Sequence, residues 1–242
     1  MKSKRALDVV ITVAAAIVWV PVLLVAALAV LVFTGRPILY RSMRRVSTDD
    51  VLRIVKFRTM VKNAEALVNR TTVPIENEVR FLNISPDSPL YTRVGRILER
   101  CGLTEIPQLT HVLRGQMSIV GNRPLPENVV AALREEYPTA DDRFLTKSGL
   151  TGPAQLVGRE ELTDLERLTL EGAYCRACVR SYSIWLDISI LLSTVMIVIG
   201  LHKGYTYQGV LDLIDRRTRS RSLALVKITT AEPEESIITD AM

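Results

Sequence analysis

Histidine and cysteine are scarce in this chain, two and three in 242 residues, and each scarcity excludes something. Three cysteines, Cys101, Cys175 and Cys178, cannot build a disulfide framework and suit a reducing compartment. Cys175-Arg176-Ala177-Cys178 has the spacing of a metal clip, but no second pair accompanies it and His111 and His202 stand at no ligand spacing, so it reads as coincidence. Aromatic residues make up only 5% of the chain, too few for a base-stacking surface. The net charge of +5 is modest, and its basic residues gather beside apolar segments, which suits anionic headgroups and phosphorylated substrates better than duplex nucleic acid. No tandem repeat is visible.

Apolar residues, by contrast, are abundant at 48%, while 24% charged residues argue against a polytopic transporter, so the apolar excess is local. The length admits one compact domain with membrane attachments. Val9 to Phe33 is almost uninterrupted apolar sequence, about 25 residues, enough to enter a hydrocarbon core of about 30 Å as a helix. It is too long for a signal peptide and lacks a cleavage site, so it is expected to stay attached. Pro21 sits at its middle, where it removes one backbone hydrogen bond and bends or breaks the helix. Lys2, Lys4 and Arg5 precede the run and Arg36, Arg41, Arg44 and Arg45 follow it, so both ends carry the mark of the cytoplasmic side. A hairpin satisfies both flanks; a kinked spanning helix is the alternative. Ile184 to Leu201, containing Asp187, is a second apolar run, placed in the membrane interface or in the core. Val210 to Ile214 leads into Arg216, Arg217, Arg219 and Arg221, a lipid-touching cluster or a solvated tail, and the acidic end around Glu232 and Glu235 reads as disordered.

Between the apolar runs, Val51 to Phe57 alternates as a strand after a Ser47–Asp50 turn, which predicts a hairpin. Asn63 to Asn69 is helix-like, and Arg70 to Leu90 reads as an irregular loop of the kind that covers a substrate. Arg93 to Arg100 predicts a helix that Gly102 breaks. Thr104 is then the expected N-cap of the next helix, with Pro107 in its first turn and Gly115 at its end, placing Glu105 where backbone amides point. Gly121-Asn122-Arg123-Pro124 is a turn that offers a guanidinium suited to phosphate.

These pieces, in this order, resemble the bacterial sugar transferases, the monotopic polyprenol phosphate phosphoglycosyl transferases. The resemblance runs from about Lys4 to Gly204. It is carried by Lys4-Arg5 with Asp8, Gly35 to Tyr40, Lys56-Phe57-Arg58-Thr59-Met60, Thr92-Arg93-Val94-Gly95-Arg96, Leu103-Thr104-Glu105-Ile106-Pro107-Gln108, Leu113 to Ser118, Gly121 to Pro124, and Gly149-Leu150-Thr151-Gly152 with Gln155 and Gly158-Arg159. Each match is short; their order makes them specific.

The resemblance implies a mainly helical α/β fold. Residues 1–36 form a re-entrant membrane hairpin broken at Pro21, residues 37–204 a compact cytosolic catalytic domain with an interfacial helix near 183–201, and residues 205–242 a basic then acidic tail. It places the protein at the bacterial inner membrane, with the catalytic domain on the cytosolic face, and leaves a homo-oligomer open. The implied reaction is magnesium-dependent: UDP-sugar plus polyprenol phosphate gives polyprenol diphosphate sugar plus UMP through a covalent phosphosugar carried by the aspartate of an Asp-Glu pair. Lys56, Arg58, Arg123 and Arg159 are then the cations expected to hold phosphate, and Glu105 the magnesium ligand. The chain departs from the pattern at the most consequential place, because Thr104 stands where the nucleophilic aspartate is expected. Glu99 stands where arginine is usual, and Val20 where serine is common. The readings that follow are an active enzyme using Glu105, or Thr104 activated by Glu105, and an impaired relative that binds nucleotide sugar or lipid phosphate and regulates a partner. A membrane-interaction protein sharing only the fold is the third.

Overall fold

The computed structural model describes residues 2–64, 84–158 and 161–229, with 219–229 described by backbone alone. Most of the helix expected at Asn63–Asn69, most of the Arg70–Leu90 loop, Arg159 and the acidic end lie outside the described residues. The chain opens with α1 (Lys2–Ala14) and α2 (Ala16–Phe33). The interruption between them falls at Ala15, not at Pro21, which lies inside α2. Proline withholds only the N–H that the Ile17 carbonyl would accept, a loss that α2 absorbs within its length. At the interruption the carbonyl of Thr12 accepts from the Trp19 indole Nε1 at 2.9 Å.

α2 has 18 residues, about 27 Å at 1.5 Å per residue, long and apolar enough to cross a membrane. Its outer faces are bare: Ile17 is 83% exposed and Val25 69%. Its C-terminal half is held, with Ala26 and Val30 packed on Phe57 and Leu98. α1 is held by polar groups at i, i+4 spacing, and Lys4, Asp8 and Thr12 are its buried residues. The Lys4 ammonium donates to the Val120 carbonyl at 2.7 Å, the Tyr174 hydroxyl at 3.0 Å and Asp187 Oδ2 at 2.6 Å. Arg5 donates to the carbonyls of Val112 and of Leu113, the latter at 2.6 Å. Asp8 accepts from the Ser118 hydroxyl and the Ile119 N–H, both at 2.9 Å. Two of the basic residues expected to mark a membrane side are therefore spent inside the protein, because the carbonyls ending a helix and a buried carboxylate attract them more specifically than water does.

β1 (Leu39–Arg45) and β2 (Val51–Phe57) form the expected antiparallel hairpin, with Tyr40 opposite Lys56 and Arg44 opposite Leu52. α3 (Arg93–Arg100) starts at Thr92, whose hydroxyl accepts from the Gly95 N–H at 3.0 Å. A side chain at Gly95 would place its Cβ 1.9 Å from the Thr59 carbonyl oxygen, so glycine is what lets α3 lie against the end of the hairpin. Thr104 is not an N-cap. Gly102, at φ 67°, turns the chain directly into a 3-10 helix (Leu103–Gln108) that continues as α4 (Leu109–Leu113), and the threonine hydroxyl points to a side chain instead.

β3 (Ser118–Val120) pairs in parallel with β4 (Gly149–Thr151), and α5 (Glu127–Glu136) lies between them in sequence. α6 (Pro153–Val157), α7 (Asp164–Ser181, opened by a Thr163/Glu166 capping box), α8 (Ile184–Val198) and α9 (Tyr207–Thr229) complete a mainly helical α/β fold. The main core joins Val120, Leu170, Tyr174, Leu186 and Ile190 to Val210 and Ile214. The segment read as a tail thus begins as a helix whose apolar i, i+4 pair is core. α8 packs on the core through Leu186, Asp187 and Ile190, while Trp185, Leu192 and Val198 are exposed. Its 15 residues span about 22 Å, short of a hydrocarbon core.

Candidate active site

A cavity of about 560 Å³ opens between α3, the 3-10 helix and α8, within the range of about 300–1,000 Å³ typical of ligand sites. Its polar wall carries Glu99, Thr104 and Glu105, with Gln155 opposite; Leu150, Ile197 and Val198 line an apolar side. A smaller cavity of about 30 Å³ is bounded by Arg44, Lys56, Gln108 and Arg123, and Glu105 belongs to both walls.

The sequence thus brings Lys56, Glu105 and Arg123 together from three separate motifs. Arg123 makes an ion pair with Glu105. The alternation of β2 turns Lys56 to the same hairpin face as Tyr40, over whose ring its ammonium sits at 5.3 Å. Burial first, then the neighbouring Arg123 charge, push the Lys56 ammonium down to about 8, against the pull of Glu105. Burial and Arg123 likewise lower Arg44 to about 10. Burial works against the charge on Arg123 itself, but Glu105 outweighs it and the guanidinium is held above its ordinary value. Three cations beside Glu105, with Glu99 also felt at Lys56 and Arg123, leave a small excess of positive charge, an arrangement suited to an anion with several oxygens.

The Arg123 turn is fixed from behind. Arg143, 1% exposed, donates to the Arg123 carbonyl at 2.8 Å and pairs with the equally buried Glu171 on α7 at 2.8 Å. Asn122 donates to the carbonyls of Arg143 and Glu171 at 2.9 and 3.1 Å. The buried Cys175 accepts from Asn122 as well, at 3.2 Å, which gives the C-x-x-C pair a packing role.

Arg58 is not brought into this cluster. Its guanidinium donates to the carbonyls of Thr34, Gly35 and Arg36 at 2.7, 2.9 and 3.1 Å, so it satisfies the end of α2, where orphan carbonyls and the helix dipole favour a cation. Thr104, 4% exposed, donates its hydroxyl proton to Glu99 Oε2 at 2.9 Å, so the expected activation by Glu105 is replaced by a contact to a different carboxylate. Arg44, Glu99 and Arg143 are site residues that sequence reasoning missed. Arg44 was recoverable, since in the hairpin register it shares a face with Lys56; Glu99 and Arg143 carry no local signal of where they point.

The cation cluster and the carboxylates thus surround two cavities that share Glu105, in a helical α/β body bearing a long exposed apolar helix, an arrangement suited to an anionic ligand. The chain belongs to the bacterial sugar transferase family, whose model matches residues 1–200. It is 32% identical over 197 residues to the exopolysaccharide production protein ExoY of Sinorhizobium fredii, covering 80% of this chain and 84% of that protein. It is also 32% identical over 197 residues to the UDP-glucose:undecaprenyl-phosphate glucose-1-phosphate transferase of Escherichia coli, covering 79% of this chain. A third relative, the UDP-galactose-lipid carrier transferase of Erwinia amylovora, is 32% identical over 196 residues. The matches span 39% and 38% of these last two proteins, so this chain corresponds to about two fifths of the longer relatives.

Proposed function

We propose that this protein transfers a sugar 1-phosphate from a UDP-sugar to polyprenol phosphate through a covalent phosphosugar, as the first membrane step of polysaccharide or glycoconjugate assembly. The observation that carries the reading is the position of Glu105, shared between a cavity with two further potential reactants, Glu99 and Thr104, and a pocket of Arg44, Lys56 and Arg123. A diphosphate needs cations around its nonbridging oxygens, and the cluster offers them beside the carboxylates. The apolar side of the large cavity, Ile197 and Val198, continues into the exposed face of α8, where the first units of a lipid acceptor would lie. The relatives named for UDP-glucose and undecaprenyl phosphate point to the same pair of substrates.

The re-entrant arrangement is part of this proposal. Arg5 is bound at Val112 and Leu113, while Val30 packs in the cluster that includes Leu103, so both ends of the helix pair meet one short stretch of chain. Nine residues of helix from Leu103 to Val112 cover roughly 14–18 Å, whereas a straight helix from Arg5 to Val30 would cover roughly 38 Å. The break at Ala15 and the exposed residues around it, Val13, Ile17 and Val18, support an apex dipped into the cytosolic leaflet of the inner membrane. Residues 37–204 are the catalytic unit in this view.

Magnesium is compatible with the donor set. No group of three or more His, Cys, Asp or Glu side chains that could hold a metal occurs among the described residues, but magnesium is commonly held by one or two carboxylates together with substrate phosphates. Glu105 would hold it, helped by the donor's own oxygens, and the ion would supply charge neutralisation at the diphosphate. Arg123 orients Glu105, and Lys56, Arg44 and Arg123 bind the phosphates.

The test is release of UMP by the purified protein in nanodiscs containing polyprenol phosphate and magnesium, across a panel of UDP-sugars. Turnover with at least one donor is expected. No release from folded protein that still binds the nucleotide defeats the transferase reading and leaves the binding and regulatory one.

A further inference from the structure

Three carboxylates, Glu99, Glu105 and Glu161, line the large cavity, and the hydroxyl of Thr104 is bound to the first of them. Thr104 donates to Glu99 at 2.9 Å, while Glu105 is paired with Arg123. Glu99 stands in the last turn of α3, partly exposed to the cavity, and its charge is felt at both Lys56 and Arg123, which places it in the field of the phosphate-binding cluster. A covalent route makes two demands of its nucleophile: it must attack phosphorus, and it must leave again when the acceptor arrives. A threonine hydroxyl has to lose its proton to attack and departs as an alkoxide, a poor leaving group. A carboxylate attacks without losing a proton and leaves as a carboxylate. Glu105 meets these demands chemically, but it is held by Arg123 at the edge of the small cationic pocket, whereas Glu99 is held by Thr104 on the wall of the large cavity.

We infer that Glu99 is the nucleophile that carries the phosphosugar, and that Thr104 is a positioning residue whose hydroxyl holds that carboxylate at the cavity wall. The inference rests on the transferase reading above. In the first step a Glu99 oxygen lone pair forms a bond to the sugar-proximal phosphorus, and the bond from that phosphorus to the UMP oxygen breaks, its electron pair leaving with UMP. The product is an acyl phosphate between Glu99 and the sugar 1-phosphate. In the second step an oxygen of polyprenol phosphate attacks the same phosphorus, and the bond to Glu99 breaks with its electrons returning to the carboxylate. Glu99 takes up no proton in either step. A carboxylate absent from position 104 is thereby supplied from one helical turn before Gly102.

The experiment uses the full chain in nanodiscs with magnesium and whichever UDP-hexose releases UMP. Wild type incubated without lipid acceptor is expected to exchange labelled UMP into UDP-sugar and to form an adduct that neutral hydroxylamine removes and that maps to the peptide containing Glu99. Glu99→Gln is expected to lose exchange, adduct and turnover by about 10³-fold or more, with its UDP-induced thermal shift retained. Thr104→Val should lower kcat about tenfold to a hundredfold with KM little changed, and Thr104→Ser should restore it, which a merely structural role for the methyl-bearing side chain would not predict. The inference is overturned if wild type turns over and Glu99→Gln stays within tenfold of it, or if the adduct maps to Glu105 or Glu161, or resists hydroxylamine on Thr104. Those outcomes leave the transferase reading standing. Wild type inert toward every donor defeats both.

Discussion

Removing the Lys4 ammonium should release the first helix from the body of the protein, and the size of the effect follows from what it touches. Lys4 is 3% exposed and its donors meet three acceptors, among them Asp187, itself 1% exposed. In Lys4→Met the Asp187 carboxylate keeps the hydroxyls of Tyr174 and Tyr182, at 2.7 and 2.8 Å, but loses its counter-charge. Breaking one side of a buried pair costs about 3–5 kcal/mol, and the two remaining phenol donors argue for the lower end, about 3 kcal/mol. Cys178 offers a local reporter. It is buried, and burial chiefly, with the Asp187 charge adding, pushes its thiol up to about 12, so it reacts only when the region opens. With the exposed Cys101 replaced by serine, maleimide labelling of Cys178, followed by peptide mapping to separate it from Cys175, should accelerate roughly hundredfold in Lys4→Met. Asp187→Leu should behave similarly, and the double variant should be less impaired than the sum of the singles by about 2 kcal/mol or more, because the second substitution removes the stranded partner. Unchanged labelling in both single variants, or strict additivity in the double, would refute the argument that this pair locks α1 in place.

Four further outcomes follow from the geometry. UDP-sugar binding should weaken about tenfold or more as pH rises from 7 to 9, because Lys56, held below the ordinary lysine value, loses its charge near pH 8; calorimetry of Lys56→Arg should show that fall moved to higher pH. Gly95→Ala should lower the thermal midpoint by an amount equivalent to about 1–3 kcal/mol or more, since its methyl meets the Thr59 carbonyl and backbone must move; an unchanged midpoint in a scan would contradict this. Arg58→Lys should destabilise the protein by about 1–3 kcal/mol while leaving KM for the donor unchanged, the opposite of Arg123→Lys, which should raise KM. Cysteines placed at Ser3 and Ser42 should both react with an impermeant thiol reagent from the cytosolic side, and reaction from opposite faces would end the re-entrant proposal.

The parts of this molecule that could be read in its sequence are those whose instructions are local. Alternation in Val51–Phe57 specifies the hairpin, and the glycine and proline around Arg123 specify a turn that presents a guanidinium. Lys56, Glu105 and Arg123 were legible as a set because each lies in a motif, and they do share one wall. What could not be read depends on distant partners. Arg58 has the composition of a phosphate ligand, yet the nearest unsatisfied oxygens are the carbonyls ending α2. Lys4 and Arg5 have the composition of a membrane flank, yet their acceptors arrive from Asp187 and from the end of α4. Thr104 has the profile of a helix cap, but the left-handed Gly102 starts a tighter turn and frees the hydroxyl for Glu99. Pro21 has the composition of a helix break, yet α2 runs through it and the chain is interrupted at Ala15 instead.

The lock between Lys4 and Asp187 joins residues 183 positions apart. At about 5–20 residues added per second during translation, its second half emerges on the order of 10–40 s after the first. For that interval Lys4 lacks its carboxylate, and lipid is a solvent able to shelter the apolar helix beside it. If the re-entrant proposal holds, the order of synthesis lets the bilayer receive the leading segment before the folding body closes upon it.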